Sequence, residues 1–176
     1  MAAATVLGQR DVARAGRLFR TAAGLAAALP AQDPGHRALA VAANNLATEL
    51  CEQNELSGEV TALMLMAAEA GRHHWQIAGT WLNVARAEYR LSVCRRKAGD
   101  AAGAAVHALS CLAVLGEHPE AEAWDQFHGW QALAAAERAA GKEAEFLRAR
   151  ENAENAFGQL SAEDQPYCRT ALESLK

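Results

Sequence analysis

Apolar residues recur three and four positions apart along this chain, and glycine or asparagine interrupts the pattern at matching intervals. Three blocks, residues 44–71, 89–116 and 131–158, align without a gap. Each block has a leucine at its third position, a glycine or asparagine eight residues later, and a glycine at its end. Because these two residue types most readily adopt the left-handed conformation that follows a helix, both positions predict helix ends. The aligned residues are Leu46, Leu91 and Leu133, then Asn54, Gly99 and Gly141, and finally Gly71, Gly116 and Gly158.

The periodicity predicts eight helices joined by short turns, and no convincing strand. The first helix covers about residues 9–29 and ends before LPAQDPG, where two prolines and a glycine require a loop. The other helices are predicted over residues 36–53, 57–70, 73–98, 101–115, 119–140, 142–157 and 165–175. They form three pairs over residues 36–71, 73–116 and 119–158, and residues 162–176 supply a C-terminal capping helix. A single helix pair cannot bury its own apolar face, so the pairs are expected to stack.

The composition favours an all-α fold in a single domain spanning residues 1–176. Hydrophobic residues make up 51% of the chain, alanine dominates them, and only 6% of all residues are aromatic. Alanine is the strongest helix former and is poor in strands. A chain of 176 residues is also long enough to build one continuous core.

Charge and hydropathy narrow the classes of partner. The net charge of −4 argues against nucleic-acid binding, which needs a strongly basic face. No apolar run approaches the roughly 20 residues of a membrane-spanning helix, and the N-terminal segment lacks the apolar stretch of a secretory signal. We therefore expect a cytoplasmic protein without a cofactor. None of the four cysteines forms a CxxC pair, so we expect reduced thiols, which are typical of the cytoplasm. The cysteines are Cys51, Cys94, Cys111 and Cys168.

The aligned positions resemble the tetratricopeptide repeat family. In that family a small residue follows the conserved leucine, and here Ala47, Ser92 and Ala134 do so. Trp130 matches the early tryptophan of the family, and the sequence from Ala15 reproduces the A-x3-F-x2-A signature of a second helix. The spacing between successive leucines is 45 and then 42 residues, which is longer than the usual repeat of about 34. The resemblance implies a right-handed superhelix of antiparallel helix pairs with a long period.

The resemblance also implies where a partner would bind. In this family the first helix of each pair lines a concave groove that binds peptides. Asn45, Arg86 and Arg90 occupy groove positions and match the residue types that grip the carboxylate of a peptide C-terminus, since arginine binds carboxylates in bidentate fashion. Other positions expected to face the groove are Val41, His128 and Ala132. The predicted site therefore comprises Asn44, Asn45, Arg86, Tyr89, Arg90 and Val93. The predicted function is non-catalytic binding of a protein or peptide partner, with an acidic group or a C-terminal carboxylate as the expected point of contact.

Two other hypotheses stay open, besides the interpretation of the arginines as a solvated helix face. The first is a self-assembling structural protein. The helix over residues 9–29 lacks its own pairing helix, so it is either a trimmed end helix or leaves an apolar face open, and this face or the last helix would form a symmetric dimer. The second is a zinc or copper(I) site. His107 and Cys111 lie four residues apart on one predicted helix, and Cys94 lies on its antiparallel partner.

The sequence contains no motif that favours an enzyme. It lacks GxSxG, GxxxxGK[ST] and HExxH. Asp125 and His128, three residues apart, form a carboxylate–imidazole pair without the further ligands that a dinuclear site requires. No catalytic residue is predicted.

Overall fold

All the regular secondary structure in the described residues, 11–176, is helical, which confirms the all-α expectation. The computed structural model has helices α1 (Val12–Ala26), α2 (Pro34–Cys51), α3 (Gly58–Ala78), α4 (Trp81–Lys97), α5 (Ala101–Gly116), α6 (Ala123–Ala139), α7 (Glu143–Gly158) and α8 (Gln165–Glu173). The predicted start of the first helix at residue 9 lies outside the described residues. None of these helices is long and apolar enough to cross a membrane.

Side chains that accept backbone hydrogen bonds fix where several helices begin. Ser57 and Asp100 accept from the third residue beyond them, which satisfies an N–H group that has no partner within the helix. Thr80 and Asn83 bond to each other's backbone N–H, so a reciprocal capping box starts α4. The starts of these helices are therefore fixed by local hydrogen bonds.

The predicted break at Gly71 is wrong. Helix α3 continues through this glycine to Ala78, and the chain leaves it at Gly79. Gly71 is buried, and the space for its missing Cβ lies 3.5 Å from the backbone nitrogen of Asn44 and 3.7 Å from Cβ of Ala43. The glycine therefore allows α2 and α3 to approach closely. Only Gly79 and Thr80 separate α3 from α4, so the second pair begins at residue 81 and not at 73.

The other predicted helix ends divide into two kinds. Gly99 and Gly141 have φ values of +85° and +72°, so they take the left-handed conformation that the alignment predicted for them. Gly116 and Gly158 are the last helical residues of α5 and α7, and they do not have a positive φ. The helix predicted from residue 119 begins at Ala123, because the sequence HPE precedes it as a turn.

The helices pack mainly on their neighbours in the chain. The most extensive contacts are within the pairs α2–α3, α4–α5 and α6–α7, and α3 also packs on α4 and α5 on α6. In addition α4 contacts both α2 and α6, so the first helices of the three pairs are neighbours. Helix α1 lies against α2 and α3, and α8 lies against α7.

The core is built largely from alanine. The aligned leucines Leu46, Leu91 and Leu133 are buried, and so are the small residues that follow them. Such small side chains bury only a modest apolar area at each helix contact. At about 25 cal/mol per Å², each contact therefore contributes little stabilisation. Close approach of the helix backbones, as at Gly71, makes up for the small side chains.

Two histidines meet in the interface between α2 and α3. Nδ1 of His36 lies 2.8 Å from Nδ1 of His74, and the residues are only 3% and 4% exposed. A hydrogen bond between two ring nitrogens holds one proton, so at least one of the rings is neutral. Burial, together with His73 and His36, lowers the pKa of His74 below its usual value.

Substitution of Gly99 tests the left-handed helix end. Gly99→Ala should lower the free energy of unfolding by about 1 kcal/mol, because a side chain disfavours a positive φ. Gly116→Ala is the matched control, since its Cβ would meet nothing within 4 Å and its backbone is helical. Urea denaturation measures both variants, and equal losses would contradict the requirement at Gly99.

The histidine pair predicts a loss of stability in mild acid. Because the pKa of His74 is lowered on folding, the unfolded chain binds more protons below about pH 6.5, and stability present at neutral pH is lost as the pH falls. His74→Gln should flatten the fall of Tm between about pH 7.5 and about pH 5.5. His118→Gln, which changes a histidine paired with Glu120 outside this interface, should keep the wild-type slope. If both variants keep the wild-type change of Tm with pH, the His36–His74 pair does not cause that change.

Candidate functional site

Helix α4 presents two rows of side chains to the space between α2 and α6. Ala85 and Tyr89 form one row and Arg86 and Arg90 the other, because residues four apart share a helix face. The first row packs with Cys111 and Leu115 of α5. The second row carries the positive charge of the site.

These rows border a pocket of about 370 Å³, named here the central pocket. Asn44 of α2 lies at one side, and α6 supplies the opposite wall. The volume falls in the range of small-ligand sites, about 300 to 1,000 Å³. The lining residues are Asn44, Ala85, Arg86, Tyr89, Arg90, Cys111, Leu115, Trp124, Asp125 and His128.

The guanidinium of Arg86 is held by a carboxylate of the protein itself. Its Nε and Nη2 donate to the two carboxylate oxygens of Asp125 at 2.7 and 3.0 Å. Asp125 is only 6% exposed, so the bond satisfies a buried charge. The hydrogen bond to Asp125 raises the pKa of Arg86. Because Nε and Nη2 are occupied, Arg86 has no free pair of donors on this side for a ligand carboxylate, and its role in binding one stays a prediction.

Arg90 differs from Arg86 in its partners. Within residues 11–176, Arg90 forms no ion pair, and its buried Nε has no hydrogen-bond partner. Its guanidinium carbon lies 5.9 Å from the centre of the Tyr89 ring, within the range of a cation–π contact. The central pocket thus contains one cation whose charge no described carboxylate of the protein neutralises.

His128 forms part of the pocket wall opposite Tyr89. The two ring centroids are 5.4 Å apart, and Trp124 lies edge-on to the imidazole at 4.8 Å. Burial lowers the pKa of His128, and Arg86 and Arg90 lower it further, whereas Asp125 opposes them. The imidazole is therefore neutral at pH 7. Its Nδ1 is buried and has no hydrogen-bond partner among the described residues.

The thiols of Cys111 and Cys168 are poor nucleophiles. Burial raises the pKa of Cys111 to about 12. Sγ of Cys168 lies 3.9 Å from Nε2 of His128, but burial raises the pKa of this thiol as well. Nucleophilic attack requires the thiolate, so a cysteine–histidine pair of this kind does not activate the sulfur.

The predicted site residues are only partly brought together. Asn44, Arg86, Tyr89 and Arg90 line the central pocket. Asn45 is exposed and does not line it, and neither does half-buried Val93. His128 takes the pocket-facing position that the resemblance implied, whereas Ala132 is buried and Val41 is exposed outside the pocket.

Trp124 and Asp125 are lining residues that the sequence did not assign to the groove. Both lie in the first turn and a half of α6, next to His128. Trp124 lies four residues before His128, so the two share one helix face. This spacing could have identified Trp124 as a groove residue. The pairing of Asp125 with Arg86, 39 positions away, had no local signal.

The proposed metal ligands do not converge. His107 is occupied by Glu88, whose Oε2 lies 2.7 Å from its Nδ1. Cys94 packs in the core beside Cys51, and Cys111 lies at the central pocket. Over the described range no group of three histidine, cysteine, aspartate or glutamate residues could hold a metal ion. The described residues therefore give no support to the alternative of a zinc or copper(I) site at Cys94, His107 and Cys111.

A buried carboxylate anchors α4 from the side opposite the pocket. Glu88 is 2% exposed and accepts hydrogen bonds from Arg72 of α3 and from His107 of α5. Burial raises the pKa of Glu88, but these hydrogen bonds outweigh it and hold the pKa below the usual value. Glu88 lies two positions from both Arg86 and Arg90, so it projects from the back of the helix. The network fixes the rotation of α4 and hence the direction of its arginines.

No known family, curated protein or solved structure matches this chain. The function is therefore inferred from the central pocket itself.

Removal of Glu88, which does not itself line the pocket, should destabilise the protein. Glu88→Ala leaves Arg72 and His107 without their shared acceptor, and we expect the free energy of unfolding to fall by about 2 kcal/mol. Glu69→Ala removes a carboxylate that is 56% exposed and pairs with Arg95, so it should cost less than about 1 kcal/mol. Chemical denaturation of the two variants compares them, and similar losses would contradict an anchoring role for Glu88.

Proposed function

We propose that this chain is a non-catalytic recognition module that binds a peptide partner through a carboxylate held in the central pocket. The observation that carries the proposal is Arg90, which lines the pocket without an ion-pair partner among the described residues. The charges of Arg86 and Asp125 cancel. One positive charge is left inside a pocket, although the chain as a whole has a net charge of −4.

The polar groups around Arg90 suit a peptide end. A guanidinium binds a carboxylate through two parallel hydrogen bonds. The side-chain amide of Asn44 offers both a donor and an acceptor, which match the N–H and C=O groups of a peptide backbone. Burial raises the pKa of Tyr89, so its hydroxyl stays protonated and able to donate.

Apolar side chains complete the recognition surface. Ala85, Leu115 and Trp124 line the same pocket and cover the carbon skeleton of a ligand whose charged end lies at Arg90. A volume of about 370 Å³ admits one to three residues of a peptide and excludes a folded domain. The ligand class that fits is a short segment with one carboxylate and an apolar side chain.

The helix contacts support a tetratricopeptide-like arrangement as part of this proposal. Because α4 touches α2 and α6, the first helices form a wall along which a peptide extends beyond the pocket. The four free cysteines fit a reducing compartment, so the partner is sought in the cytoplasm.

Self-assembly is the second candidate, and the outer face of α1 favours it. Leu18 and Leu25 are 37% and 70% exposed on this helix, whose neighbours in the described residues are α2 and α3. Light scattering over a range of concentrations tests this alternative. A dimer that dissociates in a Leu25→Glu variant supports it, and a monomer at every concentration contradicts it.

Arg90 should determine the capture of peptides with a free C-terminus. On an array of short peptides carrying either a free or an amidated end, the protein should prefer the free carboxylate. Arg90→Gln should weaken that binding at least about tenfold, because a hydrogen bond to a charged group contributes about 1.5 to 3 kcal/mol. Binding should also weaken with added salt.

Arg96→Gln is the matched control for this experiment. Arg96 lies on the same helix, is exposed and does not line the pocket. The Arg96→Gln variant should therefore bind the peptides as the wild type does. Equal capture of free and amidated peptides, or equal losses in the two variants, would contradict the proposal.

A further inference from the structure

Two buried nitrogen atoms in the wall of the central pocket have no hydrogen-bond partner among the described residues. They are Nε of Arg90 and Nδ1 of His128. Such atoms are uncommon in folded proteins, because an unpaired buried polar group costs about 1 to 3 kcal/mol. Only six buried side-chain nitrogen or oxygen atoms in residues 11–176 lack a partner, and two of them belong to this one pocket. Both atoms are covered from solvent, so a ligand oxygen accepts from them only after the side chains that cover them move aside.

The groups that face His128 define its charge balance. From α4, Tyr89 contacts the ring, and Arg86 and Arg90 lie close enough to disfavour a second positive charge. On α6, Asp125 favours that charge but is already paired with Arg86. From α8 the thiol of Cys168 approaches Nε2 at 3.9 Å. Burial and the two arginines together therefore favour the neutral imidazole in the free protein.

We propose that the ligand carboxylate bridges Arg90 and His128, and that His128 takes up a proton when the ligand binds. This inference rests on the proposed function of the central pocket. One carboxylate oxygen accepts from Arg90, and the other accepts from Nδ1–H of the imidazolium. The complex then contains two cations beside one anion and the Arg86–Asp125 pair. The anion offsets the repulsion from Arg90, which together with burial disfavours protonation of the free imidazole.

The sign of the pH dependence follows from this linkage. Burial and the two arginines lower the pKa of His128 in the free protein, whereas a bound carboxylate raises it. The affinity must therefore increase as the pH falls from the raised pKa of the complex towards the lowered pKa of the free protein. Each unit by which binding raises the pKa of His128 gives about a tenfold gain in affinity over that interval.

The probe is acetyl-Ala-Ala-Phe with a free C-terminus, and its C-terminal amide is the neutral counterpart. Calorimetric titration in buffers of different ionisation enthalpy counts the protons taken up on binding. For the acid we expect uptake of up to one proton and an affinity that rises at least about threefold from about pH 7.5 to about pH 6. The amide should show neither effect.

Variants assign the proton to its residue. His128→Gln should still bind the acid through Arg90, but without proton uptake and with an affinity that does not change over this pH range. His118→Gln, a histidine outside the pocket that pairs with Glu120, should keep the wild-type proton uptake. An independent readout is the NMR titration of the His128 ring in the wild-type protein, in which the probe should raise the pKa.

The outcomes separate this inference from the proposed function. If the wild type binds the acid in preference to the amide but takes up no proton, the role of His128 is wrong and the pocket proposal stands. Retention of the proton uptake in His128→Gln would likewise overturn the role of His128 alone. If neither this peptide nor any free-ended peptide on the array binds at any pH, the proposed function fails, and this inference fails with it.

Discussion

The structure depends on the rule that a carboxylate in the interior of a protein needs a partner. Glu88 and Asp125 are both almost fully buried, and each accepts from cations or imidazoles on other helices. Glu88 ties the back of α4 to α3 and α5, and Asp125 ties its front to α6 through Arg86. A helix held on two sides by buried charges has little freedom to rotate. The direction of Arg90, and with it the chemistry of the central pocket, follows from that restraint.

The alanine-rich core explains why such polar ties matter here. Small side chains allow close contact between helices but bury little apolar area for each contact, so neighbouring registers of two helices differ little in free energy. Specific hydrogen bonds between helices distinguish these registers, since a slip by one turn would leave a buried charge unpaired. The hydrophobic contacts and the buried ionic groups therefore have separate roles: the former drive compaction and the latter set the alignment.

The sequence predicted what local chemistry determines. Helix content, the left-handed ends at Gly99 and Gly141, and the burial of the aligned leucines all followed from residue type and spacing. Gly71 was misjudged because a glycine that ends a helix and one that admits a neighbouring backbone look the same in a sequence. Four of the six predicted groove residues line the pocket: three because the helix period places them on one side of α4, and Asn44 because α2 packs against α4. The ion pair between Arg86 and Asp125 could not be predicted from the sequence, because it depends on how α4 and α6 pack against each other.

The short connection Gly79–Thr80 has a mechanical consequence. With two linking residues, α3 and α4 can scarcely shift against each other, whereas six residues separate α5 from α6. The central pocket thus lies between the short α3–α4 connection, which is stiff, and the longer α5–α6 connection, which is less constrained. If the pocket opens to admit a ligand, we therefore expect α6 to move while the helices before it keep their positions.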